Sequence, residues 1–161
     1  MDIDFFIAAT DYFTKWIEVR PLRVTTEKYV QKFIWENVIT RFGLPHMLVT
    51  DNGAQFCGSK IKDFYKSYEI QHNLSTPRYA PANGQAEASN KRILDTLKKK
   101  LDRYKGKWVD ELHSVLWAYR TTPRSTTGES PFSLCYGSEA IIPTELAQPT
   151  LRSKASQAAN H

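Results

Sequence analysis

Two carboxylates, Asp51 and Glu87, are the residues whose types and spacing best suit chemistry in this chain. Asp51 directly follows the short apolar run 47–50, and Glu87 opens a run of good helix formers, with 35 residues between the two. Carboxylate oxygens suit Mg²⁺, and two-metal phosphoryl-transfer sites hold their ions roughly 3.5–4 Å apart. The pair therefore predicts a divalent-metal site. Each residue alone also has a structural explanation, since Asp before Asn-Gly favours a turn and Glu in a first helical turn complements the helix dipole.

A strongly basic segment follows Glu87. Between Lys91 and Lys107, eight cations accompany two anions, a local balance of +6 compared with +5 for the whole chain. On a helix of about 3.6 residues per turn, Lys91 and Lys98 lie on the same face as Glu87. Most charge runs are solvated helix faces. Beside a metal site, however, this segment predicts salt-dependent binding of a phosphate backbone.

Hydrophobic periodicity predicts an alternation of strands and helices that positions these residues. Strands are expected at 5–10, 15–20, 47–50 and 70–74, and helices at 25–42, 59–68, 86–104 and 108–119, with a loop at 75–85. The first two strands form a hairpin. The pattern indicates one α/β domain over residues 1–146, followed by a small, polar and disordered tail at 147–161.

Several classes of protein are disfavoured by composition. No apolar run approaches the roughly 20 residues of a membrane span, and the acidic start Met1–Asp4 does not resemble an export signal, so we expect an intracellular protein without a membrane partner. The two cysteines, Cys57 and Cys135, are expected to be reduced, and the four scattered histidines lack zinc-site spacing. The four tryptophans are expected in the core, and no small-molecule cofactor is indicated.

Five sequence blocks occur in order along the chain. They are TDYFTKWIE at 10–18, RFGLP at 41–45, TDNGAQF at 50–56, NGQAE with a following NK at 83–91, and AYRTTP at 118–123. Together with the Asp-x35-Glu spacing, these blocks resemble the integrase catalytic core of gypsy-type LTR retrotransposon polyproteins of plants, a retroviral-type core. The resemblance extends from about Phe5 to Leu146.

This resemblance implies a ribonuclease-H-like fold, in which helices flank a five-stranded mixed sheet. It also implies an Asp, Asp, Glu triad that holds two Mg²⁺ or Mn²⁺ ions, trims the 3′ ends of retroelement DNA and joins them to target DNA in the nucleus, in an enzyme that can form a homodimer. Asp51 matches the second carboxylate and Glu87 the third. The expected nucleic-acid contacts are Asn83 and Gly84 in the loop before the catalytic helix, and Asn90, Lys91 and Lys98 on that helix.

The first carboxylate of the triad is where the chain departs from the family pattern. In the family this residue lies in an opening, central strand, whereas only four residues precede Phe5 here, so we interpret the chain as N-terminally truncated with its first strand missing or reduced. Asp2 is the candidate for this carboxylate. Asp11 matches the end of the second strand and is interpreted as a turn residue, because a strand over 2–10 would separate it from Asp2 by roughly 30 Å.

The activity of the chain is therefore left open at this stage. The first hypothesis is a Mg²⁺-dependent polynucleotidyl transferase or endonuclease of the integrase type. The alternative is a non-catalytic nucleic-acid-binding or oligomerising relic of an integrase. A third hypothesis is that the loss of a central strand leaves no stable fold, because native proteins are stable by only about 5–15 kcal/mol.

Overall fold

A computed structural model describes residues 5–75, 95, 98, 99 and 108–141. The chain divides into two compact units, Met1–Leu116 and Trp117–His161. Residues 76–85 of the loop predicted at 75–85 and the predicted tail at 147–161 lie outside the described residues. Of the predicted helix at 86–104, the structure describes Asp95, Lys98 and Lys99, and all three are helical.

The first unit begins with the expected hairpin. Strand β1 (Phe5–Thr10) pairs antiparallel with β2 (Ile17–Leu22). The turn between them is closed by Asp11, whose Oδ2 accepts hydrogen bonds from the backbone N–H of Thr14 at 2.8 Å and from its hydroxyl at 2.7 Å. The interpretation of Asp11 as a turn residue is therefore confirmed.

Strand β2 is deeply buried, and its buried residues include a charged one. Glu18 is only 4% exposed. Its carboxylate accepts hydrogen bonds from Trp16 Nε1 at 2.8 Å and from Arg41 Nη1 at 3.2 Å. Charge-assisted hydrogen bonds make such burial tolerable for a carboxylate.

The predicted helix at 25–42 has three parts. Helix α1 (Glu27–Phe33) continues into a π-helical segment (Ile34–Ile39) and ends in α2 (Thr40–Phe42). Apolar spacing does not predict the wider π turns, because residues three and four apart recur in both helix types. Trp35, in the π-helical segment, is 43% exposed, with its ring 5.6 Å from that of Tyr68.

A strand–helix–strand unit follows. Strand β3 (Met47–Thr50) leads through α3 (Ala54–Cys57) and α4 (Ser59–Ser67) to β4 (Gln71–Leu74), which pairs parallel with β3. Parallel neighbours require such a crossover, because the chain must return to the same end of the sheet. The predictions of β3, α4 and β4 are confirmed, whereas α3 was not predicted.

Both strand pairs pack on one hydrophobic core. The buried cluster comprises Ile7, Leu22, Val30, Phe33, Ile34, Ile61, Tyr65 and Ile70, with Ala9 of β1 and Leu48 of β3 packed against it. The mixed strand directions are as expected, but the described strands form two separate two-stranded sheets instead of one five-stranded sheet. The expected central strand would contain Asp2, which lies outside the described residues.

Helix α5 (Trp108–Thr121) matches the helix predicted at 108–119 and extends across the boundary between the two units. In the second unit, the sequence did not predict α6 (Pro131–Tyr136). This short helix begins where Ser130 Oγ accepts a hydrogen bond from Ser133 N at 3.0 Å, and it ends at Gly137, whose φ is 74°. Both are usual signals for the ends of a helix.

The expectation of four core tryptophans is correct for Trp16, which is 6% exposed, and wrong for two others. Trp35 and Trp117 are 43% and 41% exposed. Trp117 meets Phe132 in an edge-on contact at 6.2 Å, so an aromatic contact replaces full burial there. Among the described residues, no helix is long and apolar enough to cross a membrane.

Candidate metal centre

Asp51 lies directly after β3, at the carboxyl end of the parallel strand pair. The pairing extends one step past the strand, because Ser75 N donates a hydrogen bond to the carbonyl oxygen of Thr50 at 2.8 Å. The side chain of Asp51 is exposed. In α/β proteins, ligands bind preferentially outside the carboxyl ends of parallel strands, so Asp51 has the position of a functional carboxylate.

The turn after Asp51 holds one of its two carboxylate oxygens. Gly53 N donates a hydrogen bond to Asp51 Oδ1 at 2.9 Å. A Cβ at position 53 would lie 2.9 Å from that oxygen and 2.6 Å from Gln55 Nε2, so a larger residue would displace the side chains of Asp51 and Gln55. Within the described residues, Asp51 Oδ2 accepts no hydrogen bond. This second oxygen is therefore available to a cation.

Thr50 contacts the backbone of Asp51 and is itself within hydrogen-bonding distance of His72. The Thr50 hydroxyl donates to the carbonyl oxygen of Asp51 at 2.9 Å and lies 2.8 Å from His72 Nε2. The His72 ring packs against Tyr65 with 4.5 Å between centroids. Burial, and then the nearby charge of Lys62, lower the pKa of His72 from 6.5. Burial also raises the pKa of Tyr65 to about 12, with a smaller contribution from Cys57.

Sequence reasoning missed the roles of Thr50, Gly53 and His72. The histidine was treated as one of four scattered residues because nothing in the linear sequence pairs it with Thr50. A signal was present, since His72 lies in the strand that follows the crossover from the strand bearing Asp51. Using this signal requires the strand register, which places His72 opposite Leu48.

The expected nucleic-acid contacts are described only at Lys98. This residue is exposed, and its Nζ lies 6.0 Å from the centroid of the Phe6 ring on β1. A cation over an aromatic face is attracted by the ring quadrupole. The contact keeps the Lys98 ammonium close to the hairpin strand while leaving the side chain accessible.

Of the expected site residues, the structure describes Asp51 and Lys98. Glu87, Asp2 and the expected DNA contacts Asn83, Gly84, Asn90 and Lys91 lie outside the described residues. In the described ranges, no group of three or more His, Cys, Asp or Glu residues could hold a metal ion. Asp51 itself fits such an ion, because an exposed carboxylate with one free oxygen is the hard ligand that Mg²⁺ prefers.

Comparison with known proteins agrees with this architecture. Residues 5–80 match the family described as "Integrase core domain". The chain is 32% identical over 134 residues to the Pol polyprotein of Radiation murine leukemia virus (strain Kaplan), covering 83% of the chain and 23% of the polyprotein. The chain thus spans less than a quarter of the length of this relative.

Solved structures give the same fold. The catalytic core domain of BIV integrase superposes with a TM-score of 0.66 at 18% identity, covering 97% of this chain and 90% of that one. The HTLV-2 integrase catalytic core domain, determined in complex with magnesium in a trimeric form, superposes with a TM-score of 0.58 at 22% identity, covering 78% and 80%.

Residues 5–80 therefore match the integrase core domain family, and the chain has the ribonuclease-H-like α/β fold seen in solved retroviral integrase catalytic cores. The resemblance inferred from the five sequence blocks is confirmed at this level. The narrower assignment to gypsy-type elements of plants stays a prediction.

Proposed function

We propose that this chain carries a divalent-metal site for polynucleotidyl transfer on DNA, with Asp51 and Glu87 as metal ligands. The observation that carries the proposal is the geometry of Asp51. It directly follows β3 in the segment matched to the integrase core family, and its Oδ2 is free among the described residues while Gly53 holds Oδ1. Magnesium in the related HTLV-2 core supports the choice of Mg²⁺ or Mn²⁺.

In this proposal, Asp51 and Glu87 hold the metal, and Asp2 supplies the first carboxylate needed for a two-ion site. When bound, the ions activate water or a 3′ hydroxyl for attack on a phosphodiester and stabilise the charge that develops. The carboxylates of the chain orient the ions. The preorganised turn at 51–53 lowers the reorganisation that ion binding requires, because Gly53 already fixes one oxygen of Asp51.

In this proposal, the DNA partner is held by the predicted loop and the predicted helix to which the sequence assigns Asn83, Gly84, Asn90, Lys91 and Lys98. Phosphate contacts position the DNA and carry no base information, so we propose that retroelement ends and target DNA bind with little sequence preference through this surface. A nuclear location and a homodimer belong to the same proposal. The HTLV-2 integrase core, whose structure was determined in a trimeric form, supports self-association in this fold.

A second function is favoured by the separation of the two strand pairs. Among the described strands, none joins β1 to β3, and the local charge of +6 between Lys91 and Lys107 suits a phosphate backbone without any metal. A relic that binds nucleic acid or oligomerises without catalysis fits this arrangement. Its DNA affinity would fall steeply with salt and would not depend on a metal.

A DNA-nicking assay with Mn²⁺ separates these two functions. The site predicts metal-dependent nicking that Asp51→Asn abolishes, while Asp63→Asn, the same change at an exposed position on α4, retains it. Nicking that persists in Asp51→Asn would contradict the assigned site. Absence of nicking in the wild type, together with metal-independent and salt-sensitive DNA binding, would establish the relic.

A further inference from the structure

Thr50 and His72 form a polar pair at the end of β3 and β4. The parallel register places Leu48 opposite His72 and Thr50 opposite Leu74. Because alternate strand residues share a face, Thr50 lies on the same side of the sheet as Leu48, and His72 is its diagonal neighbour across the strand pair. Thr50 Oγ1 and His72 Nε2 are 2.8 Å apart, a hydrogen-bonding distance.

The proton on the Thr50 hydroxyl determines the direction of this bond. A threonine hydroxyl has one proton to donate, and Thr50 Oγ1 donates to the carbonyl oxygen of Asp51 at 2.9 Å. The hydroxyl must therefore accept from His72, so the ring proton of His72 is on Nε2. Each group therefore donates to the next: His72 Nε2 donates to the Thr50 hydroxyl, and the hydroxyl donates to the carbonyl oxygen of Asp51.

The surroundings of His72 keep this donor in place. Its ring lies 4.5 Å from that of Tyr65 with an angle of 32° between the planes, and Tyr65 is only 3% exposed. Burial lowers the pKa of His72, which favours the neutral ring with a single N–H. A neutral ring packed against a buried aromatic side chain has little freedom to rotate away from Thr50.

We propose that His72 is a positioning residue for Asp51, acting through the Thr50 hydroxyl. Two bonds then hold Asp51: the Thr50 hydroxyl holds its main-chain carbonyl oxygen, and Gly53 N holds Oδ1 of its carboxylate. The remaining oxygen, Oδ2, faces a fixed direction before any cation binds. The effect on metal binding rests on the proposed function, whereas the direction of the hydrogen bonds does not.

Nitrogen-15 NMR of the histidine side chains tests the direction of the bonds without any metal. In the wild type, His72 is expected to show a protected proton on Nε2. This signal should be lost in Thr50→Val, which removes the acceptor, and retained in Thr50→Ser, which keeps the hydroxyl. A proton on Nδ1 in the wild type, or a protected Nε2 proton that survives in Thr50→Val, would overturn the inference.

Mn²⁺ titration tests the consequence for Asp51. Loss of an outer-shell partner typically weakens metal affinity by about 10–100-fold, so His72→Ala and Thr50→Val should bind Mn²⁺ about tenfold more weakly than the wild type. His72→Gln, which keeps an N–H donor, and Thr50→Ser should restore most of the affinity. His46→Gln, a change at an exposed histidine just before β3, serves as the matched control.

The outcomes distinguish the two proposals. Amide spectra of each variant establish that it is folded, and a purely structural role of His72 would lower the melting temperature of His72→Ala without changing the Mn²⁺ affinity of the folded protein. That result would overturn the positioning role. If wild-type protein binds no Mn²⁺, the proposed function fails, and the NMR experiment alone still decides whether His72 donates to Thr50.

Discussion

Asp11 and Asp51 both follow a threonine, but the turns after them use the two carboxylates differently. Each aspartate follows a threonine at the end of a strand, and each is exposed. In the hairpin, Asp11 Oδ2 accepts two hydrogen bonds from Thr14, so this carboxylate serves its own turn. The Asp51 carboxylate accepts one hydrogen bond, from Gly53 to Oδ1, so each aspartate keeps one carboxylate oxygen without a hydrogen bond among the described residues.

The direction of the next strand explains the difference. An antiparallel partner follows at once, so the turn after β1 is tight and uses its polar side chains to close. A parallel partner needs a crossover, so after β3 the chain leaves the sheet through α3 and α4 and leaves the strand end open. An aspartate at an open carboxyl end can bind a ligand, whereas an aspartate within a closed hairpin turn mainly stabilises the turn.

The sharpest test of this contrast is metal-dependent stabilisation. A ligand that binds only the folded state adds about 2.7 kcal/mol at 100 times its Kd. Millimolar Mn²⁺ should therefore raise the melting temperature of the wild type and of Asp11→Asn, and leave Asp51→Asn unchanged. Thermal unfolding with and without Mn²⁺ measures this, and an equal rise in Asp51→Asn would remove Asp51 from the metal site.

The hairpin should contribute most to stability through the buried carboxylate of Glu18. Glu18→Ala removes the acceptor of the hydrogen bonds from Trp16 and Arg41, and leaving the buried Trp16 Nε1 donor unsatisfied costs about 1–3 kcal/mol. Urea denaturation should show a loss of about 2 kcal/mol. Asp63→Ala, an exposed change, should have little effect, and equal stabilities of the two variants would contradict the buried network.

Without metal, Asp11 should contribute more than Asp51 to the free energy of unfolding, which is the reverse of their order in the Mn²⁺ experiment. Asp11→Ala loses two hydrogen bonds of the hairpin turn and should lower the free energy of unfolding by about 1 kcal/mol. Asp51→Ala loses one exposed hydrogen bond and should lower it by less. Urea denaturation in the presence of a chelator measures both, and a larger loss for Asp51→Ala would mean that Asp51 is chiefly a turn residue.

The smallest expected effect is the pH dependence contributed by His72. Because burial lowers its pKa in the folded state, the unfolded chain binds more protons as the pH falls through about 6.5. The stabilisation is complete above pH 6.5 and declines below it. In urea denaturation between pH 7.5 and 5.5, the wild type should lose stability relative to His72→Gln.

The control for the pH effect is His46→Gln, which leaves His72 in place and should keep the wild-type decline. If the stability of the wild type relative to His72→Gln is constant over this range, His72 does not carry the decline.

Most elements of the fold were predictable because their signals are local. The apolar run before Asp51 and the helical spacing in 59–68 depend on neighbours within a few residues, and β3 and α4 lie where these patterns indicate. The π-helical segment Ile34–Ile39 was not predictable in this way. Nor were the exposed Trp35 and Trp117, because burial depends on which face other elements cover.

The candidate site was likewise predictable from the sequence only in part. Residue type, the spacing from Glu87 and the five ordered blocks singled out Asp51, and the family match over residues 5–80 agrees with them. They could not reveal that Gly53 would occupy one oxygen of Asp51 or that His72 would reach Thr50, since these contacts depend on turn geometry and strand register.

The amino-acid sequence by itself determined the class of this protein, its order of strands and helices, and the carboxylate suited to a metal, because composition, periodicity and motif spacing are properties of the linear chain. Tertiary structure alone decided that Glu18 is buried and that Asp51 stays open beside Thr50 and His72. The physical reason is that each of these outcomes depends on which distant residue donates a hydrogen bond or excludes water, and the return of the chain to the sheet brings those residues together.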